Sequence, residues 1–374
     1  MSAPDADAIL SESPIHLQGK RLGAGLADAF SVANHRFFRE IAKWDALKPV
    51  LAGEVGDPRS TIEALIGLGE GCPNGGLLLS FGAHCFAVVS CLAKFAGPEL
   101  AKSFLPQLQT GSLIGALCAT ETGAGSDVMA MKTSYAETET GYVLQGEKTL
   151  ISNGAQADTF LVFATKDARL HSRGISCFLI ERSSPGVTVT EMPVQGLRGA
   201  SLGKLTLSDV RIGRAYLVGR PNAGAQIFRH AMVQERILLS AFLVGSMKRA
   251  LSRSSDYANS RQQFGAPIAT RQYVSGRIVD IYLRYATAKL LLDYATRRLQ
   301  QGLASEADAS LVKLYASEAA LECQLNAFRV HGGKALEAES GNCHELIDVL
   351  SSLTYSGTSD LQKVILAASL GLPT

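Results

Sequence analysis

The hydrophobic positions of this chain change period twice. Up to about residue 115 they recur at helical spacing. Ile62, Leu65, Ile66 and Leu68 fall on nearly one face, and residues 78–95 are apolar almost all round, which predicts a buried central helix. Pro73, Asn74, Gly75 and Gly76 punctuate the chain between the two. After Gly115, short β-branched and aromatic runs take over at 142–144, 160–165, 175–180, 187–190 and 205–207. Turn signals at Thr140-Gly141, Asn153-Gly154, Pro185-Gly186 and Arg198-Gly199 separate them, the pattern of a small antiparallel sandwich or barrel. From about Ala223 the helical period returns: Ile278, Tyr282, Tyr285, Ala288, Leu292, Ala295 and Leu299 step along one face. Ser305 and Asp308 then read as the cap of a further helix. The order predicts an α+β, mainly α chain: a helical domain (1–115), a β domain (116–222) and a second helical domain (223–374). The two helical parts are expected to pack together as a bundle.

Composition narrows the class without naming a chemistry. With 374 residues, 47% hydrophobic and 19% charged, the chain has ample material for a core and is not a disordered polypeptide. Lys plus Arg is 36 against 34 Asp plus Glu, so charge offers no argument for nucleic acid. The most apolar stretch, 77–96, is interrupted by His84 and Lys94 and reads as a core helix, so no membrane span is expected. Residues 1–11 carry Asp5 and Asp7 and lack a basic-then-apolar leader pattern, so no signal peptide is expected. The seven cysteines form no CxxC pair and sit mostly among apolar neighbours, which suggests a reducing, cytoplasmic setting. The histidines show no metal-ligand spacing, and no metal is expected.

The densest polar-plus-glycine cluster is Ala119-Thr120-Glu121-Thr122-Gly123-Ala124-Gly125-Ser126-Asp127. Such a loop lets backbone amides approach a planar or anionic ligand while flanking hydroxyls add donors. It is neither a Walker loop nor a dinucleotide fingerprint set between strand and helix. Four further blocks follow: Gly146-Glu147-Lys148 with Ile151-Ser152-Asn153-Gly154, Arg261-Gln262-Gln263-Phe264-Gly265-Ala266-Pro267-Ile268, His331-Gly332-Gly333, and Tyr355-Ser356-Gly357-Thr358-Ser359-Asp360-Leu361-Gln362.

In order and spacing these five blocks resemble the acyl-CoA dehydrogenase family of flavoproteins, from about residue 80 to the C-terminus. The first 75 or so residues match poorly. The resemblance implies a C-terminal four-helix bundle, FAD in the cleft between domains, and a shared FAD site in a homotetramer or at least a dimer. By residue, it implies that Thr120 and Ser152 bind the flavin ring. Arg261, Phe264 and Gln272 would reach the FAD of a neighbouring subunit, and Gly333, Gly357, Thr358 and Asp360 would lie along the dinucleotide. Ser126 would sit near the pantetheine arm, with Arg236, Tyr355 and Ser356 around the substrate.

Departures from the family pattern sharpen the expectation. The usual catalytic glutamate precedes the Gly-Thr pair, where this chain has Ser356, and an unactivated serine cannot remove an α-proton. A minority branch, including isovaleryl-CoA dehydrogenases, carries its base on the first helix of the C-terminal domain. Gln234-Glu235-Arg236 stands at the matching place, which makes Glu235 the candidate base. Leu150 replaces a flavin-covering tryptophan, and Arg329 replaces a glutamine. The pattern looks most like flavoproteins that oxidise prolyl or acyl groups tethered to carrier proteins in natural-product pathways. The implied reaction is α,β-dehydrogenation of such a thioester, or of a CoA thioester, with electrons leaving to an electron-transfer flavoprotein or to oxygen. Two alternatives remain: a flavin monooxygenase on the same scaffold, and a non-catalytic relative. An acidic carrier calls for a basic patch, for which Lys248, Arg249, Arg253, Arg271 and Arg277 are candidates.

Overall fold

The computed structural model describes residues 12–373; the reading of 1–11 as leaderless lies outside them. The chain opens with helix α1 (Pro14–Ala29), whose cap Ser13 accepts the His16 N–H at 3.1 Å. Helix α2 (His35–Ala42) and helix α3 (Pro58–Gly71) follow, the latter capped by Asp57. Helix α4 (Gly75–Phe95) is the apolar stretch seen in the sequence. Its mean hydropathy of 1.9 would suit a membrane, but it is 94% buried inside the protein. Its buried histidine is accommodated by neutrality: His84 Nε2 donates to Leu108 O at 3.0 Å while Nδ1 accepts the Gly115 N–H at 3.0 Å. Burial pushes this imidazole down to about 4. Helix α5 (Pro98–Gln109) then leads into the sheet.

The β region comprises β1 (Gly115–Cys118), β2 (Ser134–Glu137), β3 (Gly141–Ile151), β4 (Thr159–Thr165), β5 (Ile175–Glu181), β6 (Val187–Glu191), β7 (Gly203–Gly213) and β8 (Leu217–Val218). They form one sheet in the order β6-β7-β3-β2-β4-β5-β8, with β1 also on β4. The antiparallel expectation applies to β3–β7, β6–β7 and β4–β5, but β1 and β2 each run parallel to β4. Tight turns impose antiparallel pairing only on the strands they join. β1 arrives from the helical layer and is linked to β4 through β2 and β3, so no hairpin constrains its direction. β3 is long and shifts register between Lys148 and Ile151, where Leu150 adopts φ 54° and turns outward.

The C-terminal part contains α6 (Gly224–Ser260), a hairpin of β9 (Gln262–Gln263) and β10 (Ala266–Pro267), α7 (Gln272–Gln300), α8 (Glu306–His331), α9 (Asn342–Ser351) and α10 (Ser359–Ser369). Ser305 and Asp308 form a reciprocal capping box at the start of α8, as their spacing indicates. α6, α7, α8 and α10 pack on one another, and α3 lies between α1 and α6, so the two helical parts share a core. The α3–α6 crossing is close: a Cβ on Gly245 would meet Glu70 N at 2.5 Å. Buried charges bridge these helices. His16 sits between Glu70 Oε2 (2.6 Å) and Glu63 Oε2 (3.3 Å), with Lys20 on Glu70 and Lys289 on Glu63.

Candidate functional site

Glu235 lies in α6 and is 7% exposed. Ser356 Oγ donates to its Oε1 at 2.5 Å, and Arg236 Nε donates to Ser356 O at 2.9 Å. Ser356 and Gly357 have φ of 52° and 91°, so the chain folds back sharply against α6 before Thr358 caps α10. Gly357 is required there: a Cβ would lie 2.7 Å from Gln362 Nε2, which donates to Gly357 O at 2.9 Å. The tertiary structure thus brings Glu235, Arg236, Tyr355, Ser356, Gly357 and Thr358 together. Burial pushes the Glu235 carboxyl above its ordinary value, while the Ser356 hydroxyl and the Arg236 charge pull the other way. A buried carboxylate poised upward, with one oxygen already oriented, is suited to taking a proton from carbon.

Beside this pair is a cavity of about 40 Å³, walled by Leu78, Leu239, Phe242, Tyr355, Glu345 and Asp348. That is room for about three water-sized groups. Burial also pushes the Tyr355 phenol up, and the carboxylates of Glu235 and Asp348 add to the shift.

The loop of Thr120 joins the end of β3, three residues before Ser152, because the Thr149 N–H donates to Thr120 O at 2.9 Å. The loop after Thr120 is anchored from below by Lys148, fully buried, whose Nζ donates to Ala119 O (3.0 Å) and Glu121 Oε1 (2.9 Å). Glu121 in turn accepts the N–H groups of Lys132 and Thr133. Gly123 and Gly125 face open space, and Ser126 is exposed beside them. This set fits a flavin. Among the described residues neither the Thr120 nor the Ser152 hydroxyl is committed to another group. The bulge in β3 also leaves the apolar face of Leu150 57% exposed next to them, where a planar ring can cover it.

Arg261, Phe264, Gln272 and Gly333 are not brought to Glu235 within one chain. They cluster at the opposite end of the parallel α6–α8 pair, where Tyr257 stacks on His331 at 4.6 Å. At 1.5 Å per residue, Arg261 is about 39 Å along α6 from Glu235. Phe264 is 92% exposed at the hairpin tip, with φ 51°. Asp360 is exposed and, among the described residues, pairs with Lys363. The expected basic patch is only partly present: Arg271 is exposed, beside the Phe264 ring. Lys248 and Arg249 are inside the helical core, where Arg249 binds Glu345 and the carbonyls of Glu70 and Cys72. Arg253 also binds Glu345, and Arg277 reaches Asn326. Helical periodicity alone does not distinguish a cation buried against a carboxylate from one facing solvent.

Lys148, Gln362, Asp348 and Lys313 escaped the sequence reading. Lys313 is 2% exposed beside Arg236, and burial together with that guanidinium pushes it down to about 8. The only sequence signal for Lys148 and Gln362 is that each lies within a block singled out for other residues.

Two family models match the chain: the acyl-CoA dehydrogenase middle domain over residues 116–210 and the acyl-CoA dehydrogenase C-terminal domain over residues 222–371. An L-prolyl-[peptidyl-carrier protein] dehydrogenase of Serratia sp. (strain ATCC 39006) is 38% identical over 84% of this chain and 81% of its own. A mitochondrial isovaleryl-CoA dehydrogenase of Oryza sativa subsp. japonica is 29% identical over 79% of this chain and 73% of its own. Among solved structures, the prolyl acyl carrier protein oxidase AnaB has a TM-score of 0.90 at 31% identity, covering 97% of this chain and 100% of that one. PigA with FAD and proline has a TM-score of 0.89 at 32% identity, covering both chains fully.

Proposed function

The chain belongs to the acyl-CoA dehydrogenase family, and on that footing we propose that it desaturates a prolyl-class aminoacyl thioester carried on a carrier protein, with Glu235 as the base. At the coarser level it is an FAD-dependent dehydrogenase acting on an acyl or aminoacyl thioester. The observation that carries the proposal is the buried Glu235 carboxylate, held by the hydroxyl of Ser356, whose neighbour Tyr355 lines a largely apolar cavity. The relatives named for prolyl carrier proteins support the substrate class.

When bound, FAD accepts the hydride that leaves the β-carbon. Glu235 takes the α-proton, and its raised affinity for protons brings the acid form closer to working pH. Ser356 contributes twice. Its hydroxyl fixes one carboxylate oxygen, leaving the other for the α-hydrogen, and its backbone belongs to the loop whose N–H groups would be offered to the thioester carbonyl. The side chains of Leu239 and Phe242 keep water from the reacting carbon. The missing base at position 356 was the ground for the monooxygenase alternative, and the buried Glu235 carboxylate held by Ser356 supports the dehydrogenase reading instead.

Thr120 and Ser152 would hold the flavin ring, with Gly357, Thr358 and Asp360 along the dinucleotide and Ser126 at the carrier arm. Arg261, Phe264, Gln272 and Gly333 would serve the FAD of a second copy. A separation of about 39 Å is too far for one cofactor to use both sets in one chain, and this supports a homotetramer, or at least a dimer. Electrons would pass to an electron-transfer flavoprotein or to oxygen. Free thiols, six of them buried, suit the cytoplasm.

Anaerobic titration with prolyl-loaded carrier protein tests the reading. The bound flavin should bleach and the prolyl group should lose two hydrogens. Glu235→Gln should retain FAD and bleach at least about a hundredfold more slowly. Bleaching of that variant at the parent's rate would remove Glu235 as the base.

A further inference from the structure

The loop that supports Glu235 is held from behind by a single side chain. Gln362, on the first turn of α10, is fully buried, and its Nε2 lies 3.4 Å from Ser356 O, 2.9 Å from Gly357 O and 3.4 Å from Thr358 O. The nitrogen end of the amide must face them, because its oxygen would meet three carbonyl oxygens with no donor between. Arg236 Nε reaches the first of these carbonyls from α6 at 2.9 Å. The peptide bonds here are trans, and in a trans peptide the C=O and the following N–H point in opposite directions. Drawing the Ser356 and Gly357 carbonyls toward Gln362 therefore turns the Gly357 and Thr358 N–H groups away from it. Among the described residues, no acceptor takes the N–H of Ser356, Gly357 or Thr358. Ser356 itself sits at φ 52°, a conformation that a serine keeps only where its surroundings over-determine it.

We infer that Gln362 is a positioning residue for the reaction: by gripping the carbonyl side of residues 356–358, it aims the Ser356 hydroxyl at Glu235 and leaves the N–H groups of the loop free for bound ligands. This rests on the proposed function and adds the group that presets its geometry. Gln362 acts through Ser356, whose hydroxyl lies 2.5 Å from Glu235 Oε1. Arg236 holds the Ser356 carbonyl alone, so the Gly357 carbonyl depends on the amide. Donors and a carboxylate fixed before the substrate arrives need no reorganisation as charge develops on it. The cost of a loose loop would therefore fall on the chemical step.

The test uses the FAD-loaded full chain, prolyl-loaded carrier protein and Gln362→Met, which keeps the length of the side chain but has no donor. The variant should retain FAD and lose about tenfold or more in kcat, with KM within about twofold of the parent's. Because the effect passes through Ser356, the two changes should not multiply: Ser356→Ala should cost about tenfold in the parent and only about two- to threefold beside Gln362→Met. Hydrogen exchange of the 353–361 segment should quicken in the variant, while α6 and α8 keep the parent's protection. Losses that multiply in full would overturn the inference, as would a kcat within about twofold of the parent's or unchanged exchange of that segment. Should Gln362→Met release FAD, Gln362→Glu, which puts an acceptor at the same length, carries the same comparison. Release of FAD by both variants would mean a structural tie only and would also overturn the inference. A parent that oxidises no prolyl thioester sinks the proposed function, and this inference with it, before any variant is read.

Discussion

Ser356 joins two facts that look opposed in the sequence: the usual base is missing from its place, and a glutamate stands on a helix 121 positions earlier. The serine hydroxyl donates to that glutamate, so the vacated position has become a support for the relocated base. Because the donation stabilises the anion, Ser356→Ala should raise the proton affinity of Glu235 further. The rising limb of kcat/KM against pH should then move to higher pH, and the rate at neutral pH should fall about tenfold. A profile shifted to lower pH would contradict the role. Lys148 is the comparable anchor on the sheet side. Lys148→Met leaves Glu121 with its backbone donors but no cation, and should cost about 3 kcal/mol in denaturant unfolding together with loss of bound FAD.

Among the elements, α6 does the most positioning. It carries Glu235 near one end, reaches the Arg261 hairpin at the other, and packs along its length on α3, α7 and α8. Its approach to α3 depends on Gly245, where any side chain meets the backbone of Ile66 and Glu70. Gly245→Val should lower stability by about 1–3 kcal/mol through overpacking, read as a drop in Tm. The β3 bulge does similar work on the other side of the site, thrusting Leu150 outward just after the Thr149 N–H binds Thr120 O. Neither effect is visible in the hydrophobic period, because a bulge and a helix crossing are decided by what lies opposite.

For the whole molecule, the buried network at His16 ties α1, α3 and α7. Burial opposes charging of His16, but Glu63 and Glu70 outweigh it and raise its proton affinity. Burial likewise works against the Glu63 and Glu70 anions, and His16 and the neighbouring lysines outweigh it in the other direction. The glutamates' contribution to stability is present above their ordinary 4.5 and is lost as pH falls through their lowered values. That of His16 is complete below its ordinary 6.5 and is lost as pH rises through its raised value. Thermal stability should therefore be highest between those limits and fall on both sides, and His16→Gln should flatten the alkaline side. Assembly has its own test. Mixed oligomers of Glu235→Gln chains and Arg261→Glu chains should recover activity that neither has alone, since one site can then combine both intact sets. No recovery on subunit exchange would place the whole FAD site within one chain.

Residue order alone carried the helix–sheet–helix sequence, the buried α4, the α8 cap and the five blocks that identify the chemistry. Each is a local property, set by period, capping or a short motif. Which side chains meet was another matter. The parallel course of β1, the burial of Arg249 and Lys148, and the pairing of Glu235 with Ser356 depend on segments far apart in the chain, and one strand or helix does not encode its partner. The last of these decides the chemistry, because a carboxylate becomes a base only where packing excludes water and supplies one donor.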